Sequence, residues 1–451
     1  MKAQVDRSHY LFDNKSLISL IIPLIIEQFL AVTVGLVASI MVASVGEAAV
    51  SGVSLVDSVM ILFIGTFAAL ATGGAVITGQ YIGMQNFKLA RLATTQMVWF
   101  ITLIGIVISI VLYLISGFIL GVVFGRIEAD VYMHARTYLN IVVMSVPFIA
   151  LYNACAALFR SMGNSKLPMM VALLMNVINV GLGALLIFVF GFGTDGVAIS
   201  TLTSRAIAAV LITWKLTDQK NTIYLTRTLK FKPDWAMIKR TLRIGVPNGL
   251  ENFMFQMGKI LVLSLVSSFG TYAITANAVG STVVGFTLLS TNAINLATTP
   301  IVSRCKGAGD ITQVQYYARK LHIIAYISLI VSNGLFVLGL PFIIRVYQLS
   351  EQTAQITTNL LLLSVAISCV VWPVSFTTPT VLRASGDVKI VMLIAIISMW
   401  TFRIGASFLF ARVFGMGVYG VWVAMFLDWF VRGIAYQIRY RQGKWKTIRS
   451  I

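Results

Sequence analysis

Apolar residues in this chain come in long, nearly unbroken runs, without the strict alternation of half-buried strands or the single apolar stripe of soluble helices. The runs recur roughly every 30 to 40 residues, and each approaches the roughly 20 residues that a helix needs to cross about 30 Å of hydrocarbon. Twelve spans are predicted, at 15–42, 51–78, 93–118, 134–158, 167–190, 194–215, 242–267, 272–301, 321–342, 353–382, 389–412 and 416–438. Composition agrees: 58% of the residues are hydrophobic, 11% are charged, and the mean hydropathy is +0.90. An ordinary soluble domain is about a quarter charged. The reading is an all-α polytopic membrane protein. Its first span follows a polar stretch without a small-residue cleavage site, which predicts an anchor and not a removable signal.

A net charge of +19 would suit a nucleic-acid binder, but the placement of the basic residues excludes that class. Of the 34, 27 fall in the tails or in alternate loops on one side. They include Lys2, Arg7 and Lys15, the run from Lys215 to Arg243, and the tail from Arg432 to Arg449; the opposite side has only Arg126, Arg136, Arg345 and Arg412. That asymmetry is the positive-inside pattern and places both termini and the central loop in the cytoplasm, with the chain in the plasma membrane. Cys155, Cys305 and Cys369 lie in or beside spans and read as small apolar residues, not as a disulfide framework. His9, His134 and His322 have no metal-ligand spacing, so no metal beyond a transported Na⁺ is expected.

The two halves match at an offset of 224 residues. Pro23 and Glu27 recur as Pro247 and Glu251, Ser44-Val45-Gly46 as Ser268-Phe269-Gly270, Gly83 as Gly307, and Phe190-Gly191-Phe192-Gly193 as Phe414-Gly415-Met416-Gly417. LFRSMGNSK at 158–166 faces VLRASGDVK at 381–389 after a one-residue slip. Six spans per half is an even number, so both halves enter the membrane in the same direction, as parallel repeats with a central site between two bundles. The predicted organisation is an N-terminal lobe at 1–214, a basic cytoplasmic linker at 215–241 and a C-terminal lobe at 242–451. Asp234 to Arg243 would form a short amphipathic helix on the inner surface. Gly83 and Gly307 are expected to be left-handed helix caps. Arg160 and Arg383 are expected to cap or gate the inner ends of spans four and ten.

Only four of the 15 acidic residues fall at membrane depth: Glu27, Asp57, Glu251 and Asp428. Buried carboxylates are expensive in hydrocarbon and mark ion pathways, so Glu27, Glu251 and Asp57 are the candidate coupling groups. Glu27 lies twelve residues beyond Lys15, about 18 Å of helix rise and near the midplane. Pro23 and Pro247, one turn earlier, predict kinks that free a backbone carbonyl. The alternative for each glutamate is a polar contact holding helices together. Asp428 precedes Arg432 by one turn, which predicts an internal ion pair. Lys259 either neutralises Glu251, two turns before it, or is solvated in a vestibule. Phe253, Phe255, Gln256, Trp372, Phe376, Tyr152 and Asn153, with Lys259, are candidates for lining a substrate cavity. No GxxxxGK[ST] string is present, so neither an enzyme nor an ATP-driven pump is indicated, and transport must run on an ion gradient.

The prolines before Glu27 and Glu251, GQYIG at 79–83, ALFRSMGNSK at 157–166, TVLRASGDVK at 380–389 and FGFGTDGVA at 190–198 together resemble the multidrug and toxic compound extrusion (MATE) family. The resemblance covers residues 15 to 440 or so. It implies a V-shaped, two-lobed transporter that exports cationic, often aromatic compounds in exchange for Na⁺ or H⁺, without cofactors and as a monomer. Many members carry an aspartate in a GxxDxIMV pattern late in the first helix, where this chain reads GLVASIMV and has Ala38. Near a tenth-helix carboxylate of other members it has Trp372. Both departures shift weight onto Glu27 and Glu251. The rival readings are a flippase for lipid-linked precursors and an uncoupled membrane scaffold or sensor.

Overall fold

The computed structural model describes residues 10–123, 128–225, 232–347 and 349–448. Lys2, Arg7, His9, Arg126 and Arg449 lie outside the described residues, as do positions 226–231 of the linker. The first six membrane elements are α1 (Asn14–Ala43), α2 (Glu47–Gly83), α3 (Phe87–Leu114), the two-piece α4 (Ala129–Val143 and Val146–Ser161), α5 (Lys166–Val189) and α6 (Gly193–Leu216). The second six are α7 (Trp235–Ser267), the two-piece α8 (Thr271–Thr287 and Leu289–Gly307), α9 (Ile311–Val346), α10 (Glu351–Ala384), α11 (Val388–Val413) and α12 (Gly417–Arg441). A short α13 (Lys444–Thr447) follows. Among the described residues, nine helices are individually long and apolar enough to span a bilayer, and α4 and α8 do so as pairs bent by 48° and 50°. The more charged α7 takes the seventh place. Large side chains such as Leu114, Leu338 and Phe342 are exposed on the helix surfaces, as lipid requires and water would not permit at this density.

Helix ends follow local rules. Asp13 caps α1 by accepting from the Ser16 N–H at 2.8 Å, and these hydrogen bonds hold its carboxyl below the usual carboxylate range. The duplication is written into the backbone: left-handed φ angles recur at Gly163 (86°) and Gly386 (96°), and at Gly193 and Gly417 (both 55°). α5 and α11 also end in matching π-helical turns, Leu185–Val189 and Leu409–Val413. Gly83 and Gly307 are not the left-handed caps expected of them; each is the last helical residue. The left-handed positions fall two residues later, at Gln85 (58°) and Gly309 (76°). Glycine suits such a backbone; Gln85 adopts it within a tight turn closed by the Asn86 N–H to Tyr81 C=O bond.

The fold comprises two compact units. One runs from Phe12 to Gly249; the other begins at Leu250 and takes in Tyr10 and Leu11. The Asp234–Arg243 segment is not a separate surface helix, because it continues into α7. Gln96 of α3 explains this. Its side chain donates to the Lys232 C=O at 2.8 Å and accepts from the Asp234 N–H at 3.2 Å, while Arg240 donates to Tyr81 Oη at 2.7 Å. Further along, a Cβ at Gly73 of α2 would meet the Gly245 backbone at 2.5 Å, and Asn248 Nδ2 donates to the Ala69 C=O. Gly245 and Gly249 form the close-approach stripe that small residues allow between membrane helices. In the other unit Leu11 N–H donates to Gln313 Oε1 of α9, and Tyr10 packs edge-on against Tyr316.

Candidate functional site

The two buried glutamates have the same partner in both halves. Arg160, one residue from the end of α4, donates from Nη2 to Glu27 Oε1 at 2.5 Å. Arg383, one residue from the end of α10, donates from Nη2 to Glu251 Oε1 at 2.9 Å. The arginine side chains therefore do not terminate on last-turn carbonyls, as their position suggested: an ionised carboxylate is a stronger acceptor than a carbonyl. The partnership ties the middle of α1, at Glu27, to the last turn of α4, at Arg160. In each glutamate the second oxygen, Oε2, is buried and accepts no hydrogen bond. α1 and α7 continue as helices through Pro23 and Pro247, each of which withholds one donor a turn before its glutamate.

Deeper in the N-terminal unit, a cavity of about 290 Å³ is lined by Asp57, Tyr138, Asn179, Thr201 and Arg205, and by small residues of α1 that include Ala38. Tyr138 Oη donates to Asp57 Oδ1 at 3.1 Å, and Arg205 Nη1 donates to Ser145 Oγ at 2.8 Å. Both charged side chains thus face one cavity while hydrogen-bonded to neutral hydroxyls. Asn179 Nδ2 reaches Thr201 Oγ1 at 3.3 Å and Ser204 Oγ at 3.4 Å, a contact between helices.

The corresponding positions of the C-terminal unit carry larger side chains. Phe255, Lys259 and Val262 stand where α1 has Ala31, Gly35 and Ala38. Lys259 Nζ lies 4.9 Å from the Phe255 ring centre and Arg403 Cζ lies 5.2 Å from it. Lys259 therefore does not neutralise Glu251, whose ion-pair partner is Arg383. Asp428 approaches Arg432 at 3.7 Å, as the one-turn spacing predicted, and Arg403 at 3.8 Å. Trp372 is buried and stacked on Phe376 at 4.6 Å, within a cluster that holds Phe426 and Trp429. Tyr152 is buried with its hydroxyl on the Pro168 C=O, Asn153 is half-buried, Gln256 is half-buried and Phe253 is exposed on α7. Trp372 and Phe376 belong to a packed cluster of the C-terminal unit, and Tyr152 to the core of the N-terminal unit. Among the described residues no group of three or more His, Cys, Asp or Glu could hold a metal ion.

A duplicated glutamate–arginine pair on a six-plus-six helical frame can be compared with known proteins. The MatE family model matches residues 23–185 and again 247–409, one match per repeat. The chain belongs to the MatE family. Among its relatives, a probable multidrug resistance protein NorM of Thermotoga maritima is 25% identical over 437 residues, covering 96% of this chain and 93% of the relative. An uncharacterised transporter, YisQ of Bacillus subtilis, is 28% identical and covers 95% of this chain and 94% of that one. Solved MATE structures share the fold. An outward-facing multidrug resistance MATE transporter superposes with a TM-score of 0.87 at 19% identity, over 95% of each chain. A Pyrococcus furiosus transporter, described as having a binding pocket of reversed polarity that suggests a different function, does so with the same TM-score, identity and coverage. As a MatE protein the chain is a multi-pass membrane transporter of small molecules and not an enzyme.

What sequence reasoning missed was the pairing. Arg160 and Arg383 repeat at nearly the same offset as Glu27 and Glu251, so two duplicated opposite charges carried the signal.

Proposed function

We propose that this MatE protein is a secondary antiporter of the plasma membrane that exports cationic or amphiphilic organic compounds, with both termini in the cytoplasm, driven by inward movement of Na⁺ or H⁺. The observation that carries the reading is the free oxygen on each paired glutamate. Glu27 and Glu251 each offer one buried, unaccepting oxygen beside an arginine, where a proton or Na⁺ competes with the guanidinium for the carboxylate. Occupation of the carboxylate by the coupling ion releases the arginine, and the helix end that bears it becomes free to move. Release of the ion restores the pair. Alternating access then follows from a two-state contact at an inner helix end in each half. The test is efflux of a cationic dye from proteoliposomes under an imposed Na⁺ or pH gradient. Gradient-driven efflux supports the reading, and its absence under both gradients sinks it.

A second reading has an observation of its own. Lys259 presents positive charge on α7 where a purely cation-exporting protein gains nothing from it, and a related transporter is described with reversed pocket polarity. Movement of an amphiphile with an anionic head group, such as a lipid-linked precursor, fits this residue. Competition by an anionic lipid head group, with no competition by organic cations, would select it.

A further inference from the structure

The interior of the C-terminal unit carries more positive charge than its acids balance. Arg403 and Arg432 both face Asp428, yet Arg403 Nη1 stops 3.8 Å and Arg432 Nη2 stops 3.7 Å from its Oδ2, beyond hydrogen-bond distance. The other oxygen, Oδ1, accepts from Ser398 Oγ at 2.6 Å. Among the described residues, the donors Arg403 Nη1, Arg432 Nε and Nη2, and Trp429 Nε1 are buried without a hydrogen-bond partner, as is the single acceptor Asp428 Oδ2; Arg403, Arg432 and Trp429 are 9%, 4% and 4% exposed. One carboxylate thus serves two guanidiniums, and the exposed Lys259 approaches the Phe255 ring that Arg403 also contacts. Buried charges of one sign are costly unless an opposite charge compensates them.

The fold does not need this arrangement. At the repeat offset, Arg403, Asp428, Arg432 and Lys259 correspond to Asn179, Ser204, Ala208 and Gly35. In the first half Asn179 and Ser204 make a neutral hydrogen bond between the same two helices. Arg403 also lies on a π-helical turn, Met399–Gly405, whereas α5 is ordinary α-helix from Lys166 to Ala184, through the repeat-equivalent positions. Such local rewinding re-aims a side chain and is concentrated at functional positions.

We propose that Arg403, Arg432 and Trp429 form a binding site for a small monovalent anion in the C-terminal unit, a halide or a carboxylate group, which the unpartnered N–H groups receive beside Asp428. Among its described residues the N-terminal unit has no equivalent. Its neutral pair and its charge-matched Asp57 and Arg205 leave no excess to fill.

The test uses the purified full-length protein in detergent at constant ionic strength, with sodium chloride or sodium acetate exchanged against sodium methanesulfonate, reading the thermal midpoint and equilibrium binding of radioactive chloride. Saturable stabilisation by chloride, with about one chloride bound per chain, is the expected result. Stabilisation by acetate and not by chloride would assign the site to a carboxylate, such as that of a transported compound. Arg432→Ala, which installs the residue of the first half and leaves Arg403 matched to Asp428, should abolish the anion response without lowering stability in methanesulfonate. Asp428→Asn, which adds one uncompensated charge, should lower the half-saturating concentration by about tenfold or more. Should Arg432→Ala not purify as a folded protein, Asp428→Asn decides alone. A wild-type midpoint indifferent to both anions, or an unchanged response in the variants, overturns the proposal.

Discussion

The two halves descend from one repeat, and comparing them position by position separates what both keep from what each does alone. Both keep a proline, a glutamate one turn later, and an arginine at the end of a partner helix that reaches back to that glutamate. At the next layer they diverge: the first half has small residues on α1 and a cavity, while the second has Phe255, Lys259 and a guanidinium cluster. Under the proposed antiport, a feature present in both serves the motion that the halves share, and a feature in one serves what that half binds. The pairs also differ in degree, because Arg160 and Glu27 are closer and less exposed than Arg383 and Glu251.

That difference orders the effects of breaking the pairs. Arg160→Leu leaves Glu27 buried without its partner and should destabilise the N-terminal unit by about 3–5 kcal/mol. Arg383→Leu should cost measurably less; thermal unfolding of both in detergent checks the order. If the second variant proves the more damaging, burial does not rank the pairs. Glu27→Gln combined with Arg160→Leu should recover most of the lost stability, since no unpaired charge remains.

A smaller structural effect is expected where α2 meets α7. Gly73→Val drives a side chain into the Gly245 backbone and should lower stability by about 1–3 kcal/mol. The same substitution at Gly35, where an added Cβ would meet nothing within 4 Å, should be nearly silent in stability. Equal losses at the two sites would contradict the close approach.

Smallest in stability but most informative for specificity is Ala38→Asp. It adds a carboxylate to the lining of the N-terminal cavity, which also holds Asp57. Efflux of the variant should acquire a steeper dependence on the driving cation than the wild type shows, while the thermal midpoint moves little. An unchanged cation dependence would detach the cavity from coupling.

Much of this was legible in the chain. Twelve spans, the parallel duplication and Glu27 and Glu251 followed from hydrocarbon thickness, charge cost and a constant offset, because lipid punishes polar residues severely enough to make each exception visible. Asp428 and Arg432 were readable because partners one turn apart need no tertiary knowledge. Glu27 and Arg160 are 133 residues apart, and only helix packing brings them together. Arg403 joining Asp428 was hidden for the same reason, and also by the π-helical turn, which shifts the face on which a side chain emerges. The fusion of Asp234–Arg243 into α7 depended on Gln96, a residue that sequence reasoning passed over as one polar group in an apolar run.

The central claim is that the twin glutamates, and not the divergent interior, couple ion movement to export. Glu27→Gln and Glu251→Gln, reconstituted separately, should each lower dye efflux under an imposed Na⁺ or pH gradient by about tenfold or more, with dye binding to the purified protein retained. Unaltered gradient-driven efflux in both variants would contradict the account and return the coupling role to Asp57 and its cavity.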